Sequence, residues 1–217
     1  MSGARTEMLA RVRNALAGAP VQAPPEQRDY RTGWDGTREE MLDLFAGRVA
    51  EYRAQVTRIA ADSVHTALTA ACSQHGVGRL VIDRGLPDAW RPSGVELVED
   101  DGLSAPELDE LDGAITGCAV AIAETGTVVL DAGPGQGRRA ITLVPDLHIC
   151  VVEAERVVGL VPEAVERLAA AVEEGRPLTF VSGPSATSDI ELQRVEGVHG
   201  PRTLHVVLAG EALVASG

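Results

Sequence analysis

The stretch GCAVAIAETGTVVLDAG, Gly117 to Gly133, contains two short apolar runs separated by the polar sequence Glu124-Thr-Gly-Thr127. A third apolar run, LHICVV, follows at Leu147 to Val152. Short runs rich in Val and Ile and bounded by glycine are typical of buried strands. Because aromatic residues make up only 3% of the chain, its core must consist mainly of aliphatic side chains. This composition favours a buried sheet flanked by helices.

Helical and strand patterns alternate on both sides of this stretch. Capping boxes at Thr37 to Glu40 and at Ser104 to Glu107 each predict the start of a helix. Strands that alternate with helices predict an α/β fold with a largely parallel sheet. The other predicted elements are helices at Asp62–Gly76 and Val161–Gly175 and strands at Val56–Ile59, Leu80–Asp83, Val95–Asp100, Leu178–Gly183 and Leu204–Gly210.

The N-terminal part of the chain differs in composition from the rest. Leu9, Val12 and Leu16 form a helical stripe, and the following segment, Ala19 to Gly36, is rich in Pro, Gly and polar residues. For a chain of 217 residues we expect one full domain with an appendage. We therefore predict a helical arm and linker over residues 1–36 and a single α/β domain over residues 37–217.

Charge and hydropathy exclude several classes of protein. The net charge is −13 and the basic residues are scattered, which argues against a nucleic-acid surface. No apolar run approaches the ~20 residues that a membrane span requires. The N-terminus also lacks the apolar segment of a signal peptide. We therefore expect a soluble, cytosolic protein.

The cysteines and histidines predict no metal centre on this chain. Cys72, Cys118 and Cys150 are widely spaced among apolar residues, so each is interpreted as a small buried thiol. The sequence contains no CxxC motif and no HxxxH or HExxH pattern. Any iron–sulfur centre needed for a redox role would therefore have to come from a partner.

Three polar clusters are predicted to follow strands, where open α/β sheets bind ligands at the carboxyl edge. Hydroxyl groups and backbone N–H groups in such clusters can form an anion pocket, although turn formation explains the same residue types. The clusters are Glu124-Thr125-Gly126, the stretch Ser182-Gly183-Pro184-Ser185 with Thr187 and Asp189, and the segment around His199 and Gly200.

Glu124 is the candidate catalytic residue. It directly follows the apolar run Ala119 to Ala123, so burial at a strand end would suit it to acid/base or nucleophilic chemistry. The alternative is a hairpin turn in which the carboxylate points into water.

Arg139 and His148 are candidate ligand-binding residues. Arg139 precedes an apolar segment and could pair with an anion, while His148 could orient a ligand or cap a strand. The neighbouring loop Gly133-Pro-Gly-Gln-Gly137 lacks the spacing of the known phosphate-binding motifs, and we interpret it as a flexible connection.

Four blocks in the second half of the chain resemble the lactate utilization protein C family, whose members share the LUD domain. The resemblance covers about Ala119 to Leu208 and is loose upstream of it. It implies a Rossmann-like three-layer sandwich similar to that of sugar-phosphate isomerases and CoA-transferases. The blocks are AETGTVVL, RRAITLVPDLHICVV, FVSGPSATSDIE and GVHGPRTLHVVL, in that order.

The resemblance also implies a role in oxidising L-lactate to pyruvate together with two partner subunits that carry iron–sulfur clusters. We therefore expect an accessory subunit that binds a small anion or organises its partners and holds no cofactor of its own. The alternative is a stand-alone enzyme that acts through Glu124 on an acyl-CoA or a sugar phosphate. Fold alone does not decide between them.

Overall fold

The structure is a computed structural model that describes residues 2–17, 29–188, 194–196 and 200–210. The chain divides into two compact units, Met1–Tyr30 and Arg31–Gly217. The first unit contains the helix α1 (Ser2–Leu16), where the sequence predicted a helical arm. In the described part of the chain, no helix is long and apolar enough to cross a membrane.

The second unit contains five helices and twelve strands among its described residues. The helices are α2 (Arg38–Glu51), α3 (Val64–His75), α4 (Ala105–Asp109), α5 (Val161–Arg167) and α6 (Ala169–Glu173). The strands are β1 (Gln55–Ala60), β2 (Arg79–Ile82), β3 (Glu96–Glu99), β4 (Gly113–Thr116), β5 (Val120–Ile122), β6 (Thr127–Leu130), β7 (Leu147–Glu153), β8 (Val157–Val158), β9 (Thr179–Val181), β10 (Ala186–Ser188), β11 (Arg194–Glu196) and β12 (Thr203–Gly210).

Six parallel strands form the central sheet, in the order β1-β12-β7-β4-β2-β3. A second sheet has the order β8-β5-β6-β9, and β10 pairs antiparallel with β11. The predicted α/β fold with a largely parallel sheet is therefore confirmed. The second sheet was not foreseen as separate, because short apolar strands look alike in sequence whichever sheet they join.

The side chains of β7 show how the central sheet is covered on both faces. Cys150 and Val152 point to one face and pack with α2 and the second sheet. Ile149 and Val151 point to the opposite face and pack with α3. This alternation follows from the two-residue period of a strand. On the far side of the second sheet, α5 contributes Ala164 to a further apolar cluster.

The helix boundaries follow local chemistry. Thr37 caps α2: its backbone N–H donates to Glu40 Oε2 at 2.7 Å, and its Oγ1 accepts from the Glu40 N–H at 3.2 Å. The single helix predicted from Val161 to Gly175 is interrupted at Leu168, whose side chain is buried against the second sheet. The prediction that all three cysteines are buried is confirmed.

Candidate functional site

A cavity of about 240 Å³ lies at the amino ends of β7 and β12, and we call it the amino-edge cavity. His148 is the second residue of β7, and Gly200 and Pro201 lie just before β12. Arg139, Thr142 and the segment from Phe180 to Ser185 complete the walls. The structure thus brings together these candidate residues from the sequence: Arg139, His148, Ser182, Gly183, Pro184, Ser185 and Gly200.

The segment after β9 is fixed on two sides. Ser182 Oγ lies 2.6 Å from Thr127 Oγ1 on β6, and the Ser185 N–H donates to the Pro201 carbonyl at 2.8 Å. Gly183 has φ of 107°, and a Cβ there would lie 2.6 Å from the Tyr52 Cβ. Both the backbone conformation and the close approach therefore favour glycine at this position.

His148 is the least ordinary residue of the cavity. Its side chain is only 1% exposed, and its Nε2 lies 2.7 Å from Thr116 Oγ1 on the neighbouring strand β4. Its Nδ1 is buried and has no hydrogen-bond partner in the part of the chain that the structure describes. Burial, with a smaller contribution from the Arg139 charge, lowers the pKa of His148 to about 4. The imidazole is therefore neutral at pH 7.

A neutral imidazole has one N–H donor and one acceptor nitrogen. If the Thr116 hydroxyl donates to Nε2, the proton resides on Nδ1, and Nδ1 is then a donor for a ligand in the cavity. An unpaired buried polar atom costs about 1–3 kcal/mol. A water molecule or a ligand atom that accepts from Nδ1 would complete the hydrogen bonding of His148.

Arg139 supplies the positive charge of the cavity. It begins a turn of 3₁₀-helix that ends at Thr142, and its Nη1 donates to the Thr142 carbonyl at 2.7 Å and to the Thr142 hydroxyl at 2.9 Å. Partial burial lowers the pKa of Arg139 from its ordinary value, yet a guanidinium stays charged at neutral pH. A fixed guanidinium beside a neutral imidazole and serine hydroxyls can bind a carboxylate or phosphate.

Glu124 lies in the turn between β5 and β6, so of its two interpretations the structure agrees with the hairpin turn and not with burial at a strand end. Its side chain is 42% exposed, and its Oε1 accepts from Arg31 Nη2 at 2.5 Å. It is not among the residues that line the amino-edge cavity. The apolar run before Glu124 ends in an antiparallel hairpin, so the next side chain leaves the sheet for solvent. A catalytic role for Glu124 stays a prediction.

The remaining candidate residues are distributed as follows. Thr125 Oγ1 donates to Thr127 Oγ1 at 2.8 Å and so reaches Ser182 through a chain of hydroxyls. Gly126, with φ of 60°, packs against the backbone of α2. Only the backbone of Thr187 is described, in β10, and Asp189 and His199 lie outside the described residues.

The position of the cavity corrects one expectation. The segment that contains Gly200 precedes β12, so it lies at the amino edge of the central sheet and not at its carboxyl edge. Ser182 does follow the carboxyl end of its strand, but β9 belongs to the second sheet. The loop from Gly133 to Gly137, expected to be flexible, is held by hydrogen bonds to Asp83, Gly117 and Asp131.

Comparisons with known proteins identify the family. The LUD domain family matches residues 102–209, from just before α4 through most of β12. Lactate utilization protein C of Deinococcus radiodurans is 46% identical over 208 residues, which are 95% of this chain and 96% of that protein. The chain belongs to the lactate utilization protein C family. The resemblance stated from the four sequence blocks is confirmed.

Other members of the lactate utilization protein C family are more distant in sequence. The protein of that name from Exiguobacterium is 28% identical over 226 residues, covering 94% of this chain and 95% of the relative. A crystal structure of a DUF162 family protein from Deinococcus radiodurans is 41% identical, with a TM-score of 0.71. It covers 81% of this chain and 99% of its own, and it agrees with the α/β fold.

Metal binding has little support in the described residues. Within residues 2–17, 29–188, 194–196 and 200–210, no group of three or more His, Cys, Asp or Glu side chains could hold a metal ion.

Proposed function

We propose that this protein is an accessory subunit of an L-lactate oxidising system and that its amino-edge cavity binds a small anion. The names of its relatives support a role in lactate utilization. The observation that carries the ligand proposal is the buried Nδ1 of His148, which has no hydrogen-bond partner among the described residues and lies in a cavity that also contains Arg139.

The chemistry of the cavity favours a small carboxylate such as lactate or pyruvate. Arg139 would pair with the carboxylate, because guanidinium and carboxylate geometries match. The Nδ1–H of His148 would donate to a second oxygen, and Ser182 and Ser185 would surround the ligand with hydroxyl groups. A cavity of about 240 Å³ is too small for a nucleotide-sized molecule but accommodates a three-carbon acid.

The proposed partners are two iron–sulfur subunits. The sequence has three cysteines and no cluster-binding motif, so electrons from lactate would pass through centres on other chains. In this arrangement the subunit binds substrate or product, or organises its partners, and carries no cofactor itself. Genes for two cysteine-rich iron–sulfur proteins beside this one would support the proposal, and their absence would weaken it.

Calorimetry with L-lactate, pyruvate, phosphate and CoA tests the ligand proposal. Arg139→Ala should weaken binding of the preferred small anion by about 1–3 kcal/mol, the worth of a charged hydrogen bond. Arg79→Ala is the matched control, because Arg79 is exposed and pairs with Glu96 at the amino end of β2. Equal affinity in Arg139→Ala and wild-type protein would contradict the proposal.

The alternative enzyme function has less support from the geometry. It depends on Glu124 as an acid, base or nucleophile, and the carboxylate is half exposed and paired with Arg31. Binding of CoA that is lost in Glu124→Gln but unchanged in Arg139→Ala would favour this alternative over the accessory subunit.

A further inference from the structure

The carboxyl edge of the central sheet contains two cavities that the proposed function does not use. One, of about 610 Å³, lies at the ends of β1, β12 and β7. The other, of about 480 Å³, lies at the ends of β2 and β4. Both are lined by Trp90 and Glu153, so the two adjoin, and we call them together the carboxyl-edge cleft.

The cleft lies where the topology of the sheet reverses. From β2 the chain passes outward to β3, whereas from β4 the next strand of this sheet is β7, on the other side. Connections that leave neighbouring strands in opposite directions open a crevice between them, and open α/β sheets bind ligands there. The smaller cavity is lined by Gly85, after β2, and Gly117, after β4, so it lies in this crevice.

A glycine-rich loop, Gly133 to Gly137, forms one wall and is rigidly held. The Gly135 N–H donates to Asp83 Oδ2 at 2.8 Å, and the Gly135 carbonyl accepts from the Gly117 N–H at 2.9 Å. Buried Asp131 accepts from the Gly133 N–H at 3.0 Å and from Gln136 Nε2 at 2.7 Å. The loop is therefore a preformed wall, which corrects its interpretation as a flexible connection.

The loop also carries backbone strain. Ala132 has φ of 55°, a conformation that a non-glycine residue adopts rarely, and Gly135 and Gly137 have φ of 74° and 67°. Strained backbone persists where the surrounding contacts hold it, and it clusters at ligand-binding sites. The network around Asp131 supplies those contacts.

Arginines make the smaller cavity locally positive in a chain of net charge −13. It is lined by Arg156, Arg167 and Arg176, against the carboxylates of Asp131 and Glu153. Arg176 pairs with Asp131, and Arg156 pairs with Glu153 at 2.8 Å. Arg167 donates to the Glu155 carbonyl at 2.9 Å, and among the described residues it has no carboxylate partner.

The larger cavity has the opposite character. Its charged residues are Arg38 and the acids Asp62, Glu153 and Glu155, and Arg38 donates to the carbonyls of Ala154 and Val157. Carboxylates of this kind accept hydrogen bonds from hydroxyl and amino groups. The indole of Trp90, partly exposed between the two cavities, offers a flat apolar surface.

We propose that the carboxyl-edge cleft binds a nucleotide-like ligand, with its phosphates against the arginines of the smaller cavity and its flat ring against Trp90. Hydroxyl or amino groups of the ligand then face the acids of the larger cavity. A simple inorganic anion would use only the arginine end of the cleft. This site is separate from the amino-edge cavity.

Calorimetry with ADP and inorganic pyrophosphate on the full chain tests this proposal. ADP should bind, and Arg167→Ala should weaken ADP binding by about tenfold, the loss expected for one charged hydrogen bond. The control Arg79→Ala should leave ADP binding unchanged, because that arginine lies at the amino edge. Arg139→Ala should also leave ADP binding unchanged, because Arg139 lines the amino-edge cavity and not the cleft. The test of ADP binding is therefore independent of the test of small-anion binding.

Tryptophan fluorescence tests the position of the ring. ADP should quench the tryptophan fluorescence of the wild-type protein. Trp90→Phe should abolish this quenching, although the other tryptophan, Trp34, still fluoresces. Three results would each overturn the proposal: no ADP binding at millimolar concentration, equal ADP affinity in Arg167→Ala, or pyrophosphate binding as tightly as ADP.

Discussion

The two edges of the central sheet differ in how their polar groups are held. At the amino edge, His148 is part of strand β7 and fully buried, and among the described residues its Nδ1 has no hydrogen-bond partner. At the carboxyl edge, Arg156 and Arg167 lie on the segments that follow β7 and remain largely exposed. A strand of the central sheet therefore places the buried imidazole of the amino-edge cavity, whereas the arginines of the carboxyl-edge cleft lie on loops and short helices.

This difference has energetic consequences. A buried neutral imidazole resists protonation, so the amino edge is sensitive to acid. Exposed arginines gain little from their ion pairs and are screened by salt, so they affect stability only slightly. We therefore expect substitutions at the amino edge to change the pH dependence of the free energy of unfolding. At the carboxyl edge, we expect a large change in this free energy only for substitutions that break the buried hydrogen-bond network of Asp131.

The largest expected effect is acid destabilisation through the amino edge. Burial lowers the pKa of both His148 and His205 to about 4, with His75 adding to the effect on His205. The unfolded chain binds protons at these histidines below about pH 6.5, whereas the folded chain does so only near pH 4. Stability should therefore be full above pH 6.5 and fall between pH 6.5 and 4.

At pH 5 the loss should be about 2 kcal/mol per histidine. Urea unfolding at pH 7.5 and pH 5 measures it, and His205→Asn should reduce the difference between the two pH values. A free energy of unfolding that is the same at both pH values would show that these imidazoles are not buried in the neutral form.

The second effect concerns the buried network at the carboxyl edge. Asp131→Ala removes the acceptor of the Gly133 N–H, the Gln136 amide and Arg176, so we expect a loss of about 2–4 kcal/mol. The control Asp146→Ala breaks an exposed pair with Arg202 and should cost less than about 1 kcal/mol. Equal losses in the two variants, measured by urea unfolding, would mean that the loop is not held as described.

The sequence predicts the scaffold better than the sites. The apolar run at Leu147 to Val152 and the capping box at Thr37 specify β7 and the start of α2, because both depend on local pattern alone. The same run conceals the role of His148, because nothing in the local sequence indicates whether one ring nitrogen of a histidine within a strand is buried and unpaired. That property depends on Thr116, 32 residues earlier in the chain, and on the other residues that line the cavity.

Local sequence pattern also does not predict the exposure of Glu124 or the convergence of the three arginines at the carboxyl edge. Glu124 follows an apolar strand whether the strand ends in a pocket or in a hairpin, and the pairing of β5 with β6 decides the outcome. Arg156, Arg167 and Arg176 are scattered in sequence and converge only because the chain after β7 folds back over the ends of β2 and β4. Long-range topology, which periodicity does not encode, determines both.

The smallest expected effect concerns Glu124. Its half-exposed pair with Arg31 should contribute less than about 1 kcal/mol, so Glu124→Gln should barely change the free energy of unfolding. Binding of the small anion should stay intact, because Glu124 does not line the amino-edge cavity, or become tighter, because the chain loses one negative charge. Thermal unfolding and calorimetry on the same sample check both expectations. Loss of anion binding in Glu124→Gln would show that Glu124 does take part in binding the anion.

The most direct test of the amino-edge cavity is ¹⁵N NMR of the His148 side chain during titration with pyruvate or L-lactate. We predict that the Nδ1 resonance of neutral His148 shifts as the anion accepts its hydrogen bond, and that Arg139→Ala abolishes this shift while Arg79→Ala does not. An Nδ1 resonance that stays unchanged at saturating concentrations of both anions would contradict the account.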